Sequence, residues 1–207
     1  MPRSHLVAAL LLASATVTAT AGAQPADSVH QGFWIGVGAG TGWQSFECVT
    51  CGPPPVPAKW RSGRSGGGYL AMGGTLRPNL LLGGEIAVNL NAAEEPSASV
   101  GHVGVVGQLY PTRGRRLFLR AGVGVGVAIL VDPARGFPED EELGSGGLAF
   151  RAGIGYDVRL GGRFALAPYV DVMQALASGD VRTVDGRAYR GPRNPAALQA
   201  GLSLNWY

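Results

Sequence analysis

Leu117–Val131, with the sequence LFLRAGVGVGVAILV, decides the fold because its two faces alternate without a break. Every odd position in this stretch is apolar, whereas the even positions are mostly small and include the charged Arg120. Successive side chains of a β-strand point to opposite faces, so the stretch predicts a strand with one apolar face and one narrow face. A barrel strand with lipid on one side and a tight lumen on the other has this pattern.

The same alternation recurs along the chain. A clear copy occupies 33–43 and another 148–160, and weaker copies occupy 68–76, 82–91, 99–110, 164–173 and 197–207. With 117–131 these make eight segments, most of them near the roughly 9–11 residues that a tilted strand needs to cross a membrane. An even number of strands can close without unpaired edges. We therefore predict an all-β fold, a closed eight-stranded antiparallel transmembrane β-barrel in up-and-down order.

The predicted connections alternate between long and short. The short ones are 77–79, 111–116 and 161–163, and the long ones are 44–65, 92–97, 132–146 and 175–194. Outer-membrane barrels have short periplasmic turns and longer outer loops, so both termini are expected in the periplasm. A soluble lipocalin-like barrel or a β-sandwich is the rival fold, but its solvated surface would have to be the bare, glycine-rich face.

The first residues predict export. Arg3 gives a positive start, an apolar run follows over 6–13, and Ala21-Gly22-Ala23 has the small-x-small pattern of a cleavage site. We expect a cleaved signal peptide over 1–23 and a barrel domain over 24–207, in the outer membrane of a Gram-negative-type bacterium. The composition agrees, because 15% charged residues and 34 glycines are unusual for a soluble enzyme.

Three stretches resemble the OmpA/OmpX-type family of small outer-membrane β-barrels: 103–110 (VGVVGQLY), 117–128 (LFLRAGVGVGVA) and 201–207 (GLSLNWY). The third is similar to the family's last strand, in which the barrel-assembly machinery recognises alternate apolar residues and a terminal aromatic. Here the apolar register is Leu202, Leu204 and Trp206, and Tyr207 is one extra aromatic. The resemblance implies that machinery as a partner, but it implies no particular function.

Charged residues also occur on the predicted inner face. An eight-stranded interior is only wide enough to be filled by side chains, and buried charges need partners. We expect Glu85 to pair with Arg120, so that a network of ion pairs closes the lumen. In that network, Asp157 or Asp171 is expected to offset Arg151 or Arg159. A narrow porin-like channel for small solutes is the alternative function. The predicted lumen residues are Glu85, Arg120, Arg151, Asp157, Arg159 and Asp171.

Two cysteines, Cys48 and Cys51, form a C-x-x-C in the first long connection. Gly52 and three prolines follow, which argues against the helix that a redox site would use. A zinc site needs about four ligands, and few other candidates are present. We predict a structural disulfide, formed in the oxidising periplasm, and we expect no cofactor and no metal.

A lipid A-modifying barrel enzyme is the second alternative. Eight-stranded barrel enzymes of that kind use a histidine with a serine and an acidic residue at the outer rim. His102 is the only histidine in the predicted strands, and it lacks a serine two residues further on. We therefore predict no catalytic residue and expect the protein not to be an enzyme.

The first and last long connections carry most of the outer basic residues. In a closed barrel these connections are neighbours, so we predict one basic surface that contacts the phosphates of surface glycolipid. A net charge of only +3 argues against nucleic acid as a partner, and we expect a monomer. The residues of the predicted basic surface are Lys59, Arg61, Arg64, Arg187, Arg190 and Arg193.

Overall fold

The computed structural model describes residues 32–48, 59–91, 97–111, 116–131, 142–179, 181–184, 187–190 and 192–207. The predicted signal peptide, residues 1–23, lies outside the described residues. The strands within these ranges are β1 (Phe33–Cys48), β2 (Lys59–Arg77), β3 (Leu80–Asn91), β4 (Ser97–Leu109), β5 (Leu117–Val131), β6 (Glu142–Tyr156), β7 (Val158–Gly161), β8 (Phe164–Gly179), β9 (Val181–Val184), β10 (Arg187–Arg190) and β11 (Arg193–Trp206).

The strands of the barrel form eight antiparallel walls, a wall being one strand or two strands in line, and these walls close into one barrel. Neighbouring walls pair in chain order, and β11 pairs with both β8 and β1. Strands β6 and β7 form one wall that is interrupted at Asp157, because both pair with β8 in the same register, with Gly155 opposite Tyr169 and Val158 opposite Leu166. The predicted closed, eight-stranded antiparallel barrel is confirmed.

The walls are strongly staggered. Following the paired residues once around the barrel from Trp206 leads back to β11 at Ala196, which lies ten residues earlier, from 206 to 196. Strand number and stagger together fix the tilt of the strands and the width of the bore. The stagger also decides which inward side chains lie at the same height and can meet.

Most strands are longer than the alternating pattern predicts. β2 has 19 residues and β8 has 16, and β1 and β2 stay paired as far as Cys48 and Lys59. The predicted connections 44–65, 132–146 and 175–194 are therefore wrong at their edges, and β9 and β10 form a hairpin of their own inside the last one. Backbone hydrogen bonds continue beyond the point where the apolar pattern stops, because a ladder does not require apolar side chains.

Side chains alternate between the outer surface and the lumen, as the pattern predicts. On β5, the side chains of Val123, Val125 and Val127 are exposed, whereas those of Phe118 and Arg120 are buried. Every wall adds exposed large apolar side chains, so the outer surface carries a continuous apolar belt. No helix in the described parts of the chain is long and apolar enough to cross a membrane.

Aromatic side chains mark both edges of the belt. Trp43 is exposed toward the end with the long connections, and Phe33, Tyr156 and Phe164 are exposed at the other end, which carries the short turns. We call the latter the short-turn end; it also holds Tyr207. Aromatic girdles at the two edges of an apolar band are typical of membrane barrels.

Candidate functional site in the lumen

The lumen is filled by side chains in three layers. A charged layer lies in the middle, an aromatic layer lies at the short-turn end, and small and amide side chains fill the half toward the long connections. The charged layer consists of Glu85, His102, Arg120, Arg151 and Asp171.

The charged layer contains two carboxylates and two guanidinium groups in mutual contact. Arg151 Nη1 lies 2.8 Å from Glu85 Oε1, and Arg151 Nη2 donates a hydrogen bond to Asp171. Arg120 Nη1 lies 3.6 Å from Glu85 and 3.7 Å from Asp171. These four side chains are at most 4% exposed. Their formal charges balance, which buried ions require because an unpaired charge is costly in a low-dielectric interior.

Tyrosines support the two guanidinium groups. Arg120 Nη2 donates to the Tyr69 hydroxyl at 2.7 Å, and the guanidinium carbons of Arg120 and Arg151 lie 4.1 and 4.7 Å from the centroid of the Tyr69 ring. Tyr169 packs edge-on against Tyr69, with 5.3 Å between ring centroids. Cation–π contacts and hydrogen bonds therefore hold both arginines across the bore.

His102 completes the charged layer. Its side chain is fully buried, and Nδ1 lies 3.7 Å from Glu85 Oε1. Because Glu85 already contacts two guanidinium groups, a neutral imidazole keeps the layer balanced, whereas an imidazolium would add a third cation to two carboxylates. Among the described residues, no group of three or more His, Cys, Asp or Glu side chains is placed to hold a metal ion.

Asp157 is the centre of the aromatic layer. Its Oδ2 accepts hydrogen bonds from the hydroxyls of Tyr110 at 2.8 Å and Tyr207 at 2.7 Å, and the two hydroxyl oxygens lie 2.6 Å apart. Its Oδ1 accepts from Asn205 Nδ2 at 3.0 Å. These residues come from three different walls, so the cluster links the walls across the lumen. Charge-assisted hydrogen bonds of this kind are stronger than neutral ones.

Inner-face glycines make room for these large side chains. A Cβ atom on Gly38 would overlap the ring of Tyr69, and one on Gly155 would overlap the ring of Phe118. Phe118 is itself buried and packs against Tyr110, with 5.9 Å between ring centroids. The glycine-rich inner face is therefore closely packed against aromatic rings, and these rings have little space into which they could move.

Replacing Gly155 with alanine should destabilise the barrel by about 1–3 kcal/mol, the usual cost of overpacking a filled interior. Gly74→Ala is the matched control, because a Cβ at this strand position would meet no atom within 4 Å. The control should be neutral or slightly stabilising, since alanine restricts the unfolded chain more than glycine does. Urea unfolding of both variants in lipid vesicles measures the difference. Equal midpoints for the two variants would contradict this packing.

A small cavity lies beside the charged layer. Its volume is about 10 Å³, and its lining includes Asn89, Arg151, Asp171 and Gln199. This is close to the smallest space that holds one water molecule.

The structure divides the six predicted lumen charges into two groups. Four of them meet in the charged layer, and Asp157 lies apart in the aromatic layer. Arg159 has inward parity beside Asp157 and is half-buried at the end with the short turns. The predicted contact of Glu85 with Arg120 is present at 3.6 Å, and Arg151 contacts Asp171 as expected. Arg151 also contacts Glu85, at the shorter distance of 2.8 Å, which was not predicted. The sequence identifies inward positions, but it does not define their heights.

Sequence reasoning missed the tyrosines. Tyr69 has inward parity on β2, and Tyr110 continues the inward parity of β4, so alternation could have placed both in the lumen. In the sequence pattern, Tyr207 is only an extra aromatic after the apolar register of the last strand. Its contact with Asp157 depends on the stagger, which no local pattern reveals.

The predicted basic surface is described only in part. Arg64 is exposed and lies opposite Trp43 in the β1–β2 ladder, and Arg193 is half-buried and lies opposite Glu47. All six members belong to strands rather than to loops as predicted. The side chains of the other four are not described; they are Lys59, Arg61, Arg187 and Arg190.

The predicted disulfide falls outside the described residues. Cys51 lies in the range 49–58, and nothing is described of the Cys48 side chain. The bond between Cys48 and Cys51 therefore stays a prediction.

The fold matches solved outer-membrane barrels. Neisserial surface protein A (NspA) superposes with a TM-score of 0.55 at 12% identity, covering 84% of this chain and 96% of that chain. Ail, the attachment invasion locus protein of Yersinia pestis, superposes with a TM-score of 0.51 at 14% identity, covering 85% and 99%. No family model and no curated protein matches the sequence. The chain has the fold of the OmpA/OmpX-type small outer-membrane β-barrels, and the resemblance is confirmed at the level of the fold.

Proposed function

We propose that this protein is an integral outer-membrane barrel without catalytic activity, whose lumen is sealed and whose role is structural or depends on surface interactions. The observation that carries the proposal is the pair of stacked layers in the lumen. Solute would have to pass the ion pairs around Glu85 and then the hydrogen-bonded cluster around Asp157. The apolar belt and its aromatic edges support the membrane location.

Two layers in series should seal more firmly than either alone. Glu85 and Arg151 contact each other at 2.8 Å, so removing both keeps the layer balanced, with Arg120 and Asp171 remaining. Removing Tyr207 takes one ring and one donor from the aromatic layer. Each change leaves the other layer in place.

We expect no steady conductance in planar bilayers from the unmodified protein, from E85A/R151A or from Tyr207→Ala. The combined variant E85A/R151A/Y207A should conduct, because a narrow path then passes both layers. A heat-dependent shift on an unboiled gel checks that each variant is folded. Large, steady conductance from the unmodified protein would favour the porin-like alternative instead. Silence from a folded combined variant would show that other side chains form the seal.

We also propose that the basic surface contacts phosphates of surface glycolipid. The support is Arg64, which is exposed beside Trp43 at the long-connection edge of the belt, where headgroups meet the barrel. Guanidinium groups bind phosphate through two parallel hydrogen bonds. Arg64→Gln should lower the amount of phosphorylated glycolipid retained during purification, and unchanged retention would count against the contact.

A further inference from the structure

Exposed arginines are concentrated at the short-turn end. Arg77 ends β2, Arg116 precedes β5, and Arg163 lies in the turn between β7 and β8; all three are exposed. Half-buried Arg159 lies at the same end. In the described parts of the chain, the one acidic residue at this end is Asp157, which is buried in the aromatic layer. We call the three exposed residues the arginine rim.

The backbone of the rim is fixed at two of the three positions. The Arg116 carbonyl accepts a hydrogen bond from the Asp157 N–H at 2.7 Å, and the Arg163 carbonyl accepts one from the Tyr207 N–H at 3.0 Å. These bonds continue the barrel ladder past the ends of the strands. The two guanidinium groups therefore extend from defined points on the barrel.

The arginine rim lies at the aromatic edge of the belt. The Trp206 and Phe33 rings lie 6.4 Å apart on the outer surface, and the Arg163 guanidinium carbon lies 5.6 Å from the centroid of the Trp206 ring. Tyr156 and Phe164 are exposed at the same end. Aromatic girdles sit at the level of lipid headgroups, so the arginines lie at the depth of the phosphates.

The chemistry of the rim selects an anionic phosphate. A guanidinium group matches phosphate geometry with two parallel hydrogen bonds. Among the described residues, no exposed carboxylate side chain lies beside these groups, and several such cations attract lipids that carry a net negative charge more strongly than zwitterionic lipids. A soluble acidic partner would meet this rim only after displacing the headgroups that already surround it.

We propose that the arginine rim binds the headgroup phosphates of anionic phospholipids in the leaflet at the short-turn end. The inference rests on the proposed function only in requiring that the barrel spans a membrane. It assigns the two ends of the barrel different lipid neighbours, with phospholipid at this end.

Tryptophan quenching by brominated lipids tests the proposal. In a W43F/W60F background, Trp206 is the lipid-facing reporter beside Arg163, and Trp34 is buried in the lumen. The barrel is inserted into vesicles that contain brominated phosphatidylglycerol or brominated phosphatidylcholine. We expect phosphatidylglycerol to associate about fivefold more strongly at Trp206 at low salt, which is the effect of roughly one basic contact with an anionic headgroup.

R116Q/R163Q should reduce the preference at Trp206 to less than about twofold, because it removes the contacts nearest to the reporter. The control R135Q/R182Q also removes two positive charges, from the long connections, and should leave the preference unchanged. A preference that survives R116Q/R163Q, or that the control loses equally, would overturn the proposal. If neither lipid quenches Trp206, membrane insertion itself is contradicted. If both lipids quench Trp206 equally, only the binding of anionic lipid by the arginine rim is contradicted.

Discussion

Glu85→Ala should lower the free energy of unfolding by about 3–5 kcal/mol, the usual cost of breaking a buried ion pair from one side. Glu85 contacts Arg151 at 2.8 Å and Arg120 at 3.6 Å, in a layer with almost no exposure. Without it, two guanidinium groups share only Asp171. The remaining positive charge would lie buried in a low-dielectric interior, where an unpaired ion is costly. Urea unfolding in lipid vesicles, followed by tryptophan fluorescence, measures the loss.

A double-mutant cycle separates the lost ion pair from the lost volume. E85A/R151A removes one carboxylate and one guanidinium, so the charges of the layer stay balanced. The double variant should therefore lose less free energy of unfolding than the two single variants lose in sum. Residues in one ion-pair network commonly show coupling of about 0.5–3 kcal/mol. Ile86→Ala is the control on the same strand, because Ile86 faces outward and contacts no charge in the lumen.

The cycle can also contradict the charged layer. If Glu85→Ala unfolds at the same denaturant concentration as the unmodified barrel, the ion pairs do not stabilise the fold. If the single effects simply add, Glu85 and Arg151 act independently, despite the 2.8 Å contact. Both outcomes would leave the barrel fold intact and would concern only its interior.

Local alternation was sufficient to predict the barrel, because each strand has to satisfy two different environments at once. β5 presents valines outward and glycine or arginine inward, and this difference is visible in any window of a few residues. The alternation also reveals which residues face inward. Glu85, Arg120, Arg151, Asp157 and Asp171 have inward parity and are all buried.

Part of the pairing in the lumen could not be predicted because it depends on the stagger of the whole barrel. Glu85 lies on β3 and Arg151 on β6, so their contact crosses the bore rather than a strand pair. The relative height of two such residues is known only after every register between them is fixed. The contact of Tyr207 with Asp157 has the same origin.

The ends of the strands were poorly predicted for a different reason. Beyond the apolar belt, a strand faces water on its outer side and no longer needs an apolar alternate residue. The backbone ladder holds β1 and β2 together here, where Ser45 to Cys48 pair with Lys59 to Ser62. Backbone hydrogen bonds do not depend on the side-chain pattern, so the pattern does not reveal these pairs. Sequence therefore predicted the apolar part of each strand rather than its full length.

Val125→Arg should destabilise the inserted barrel by about 2–4 kcal/mol, the cost of a lipid-facing arginine near the bilayer midplane. Val125 is 62% exposed and pairs with Val103 and Leu148, which are also apolar and exposed. Leu160→Arg is the matched control, because Leu160 is 60% exposed but lies beside the turn at the short-turn end, where the cost falls to about 0–1 kcal/mol. Unfolding titrations of both variants in the same vesicles give the comparison. In a soluble barrel both sites would face water, and the two arginines would cost the same free energy of unfolding. Equal costs would therefore contradict the membrane assignment. A larger cost at Val125 is expected if the apolar belt faces hydrocarbon.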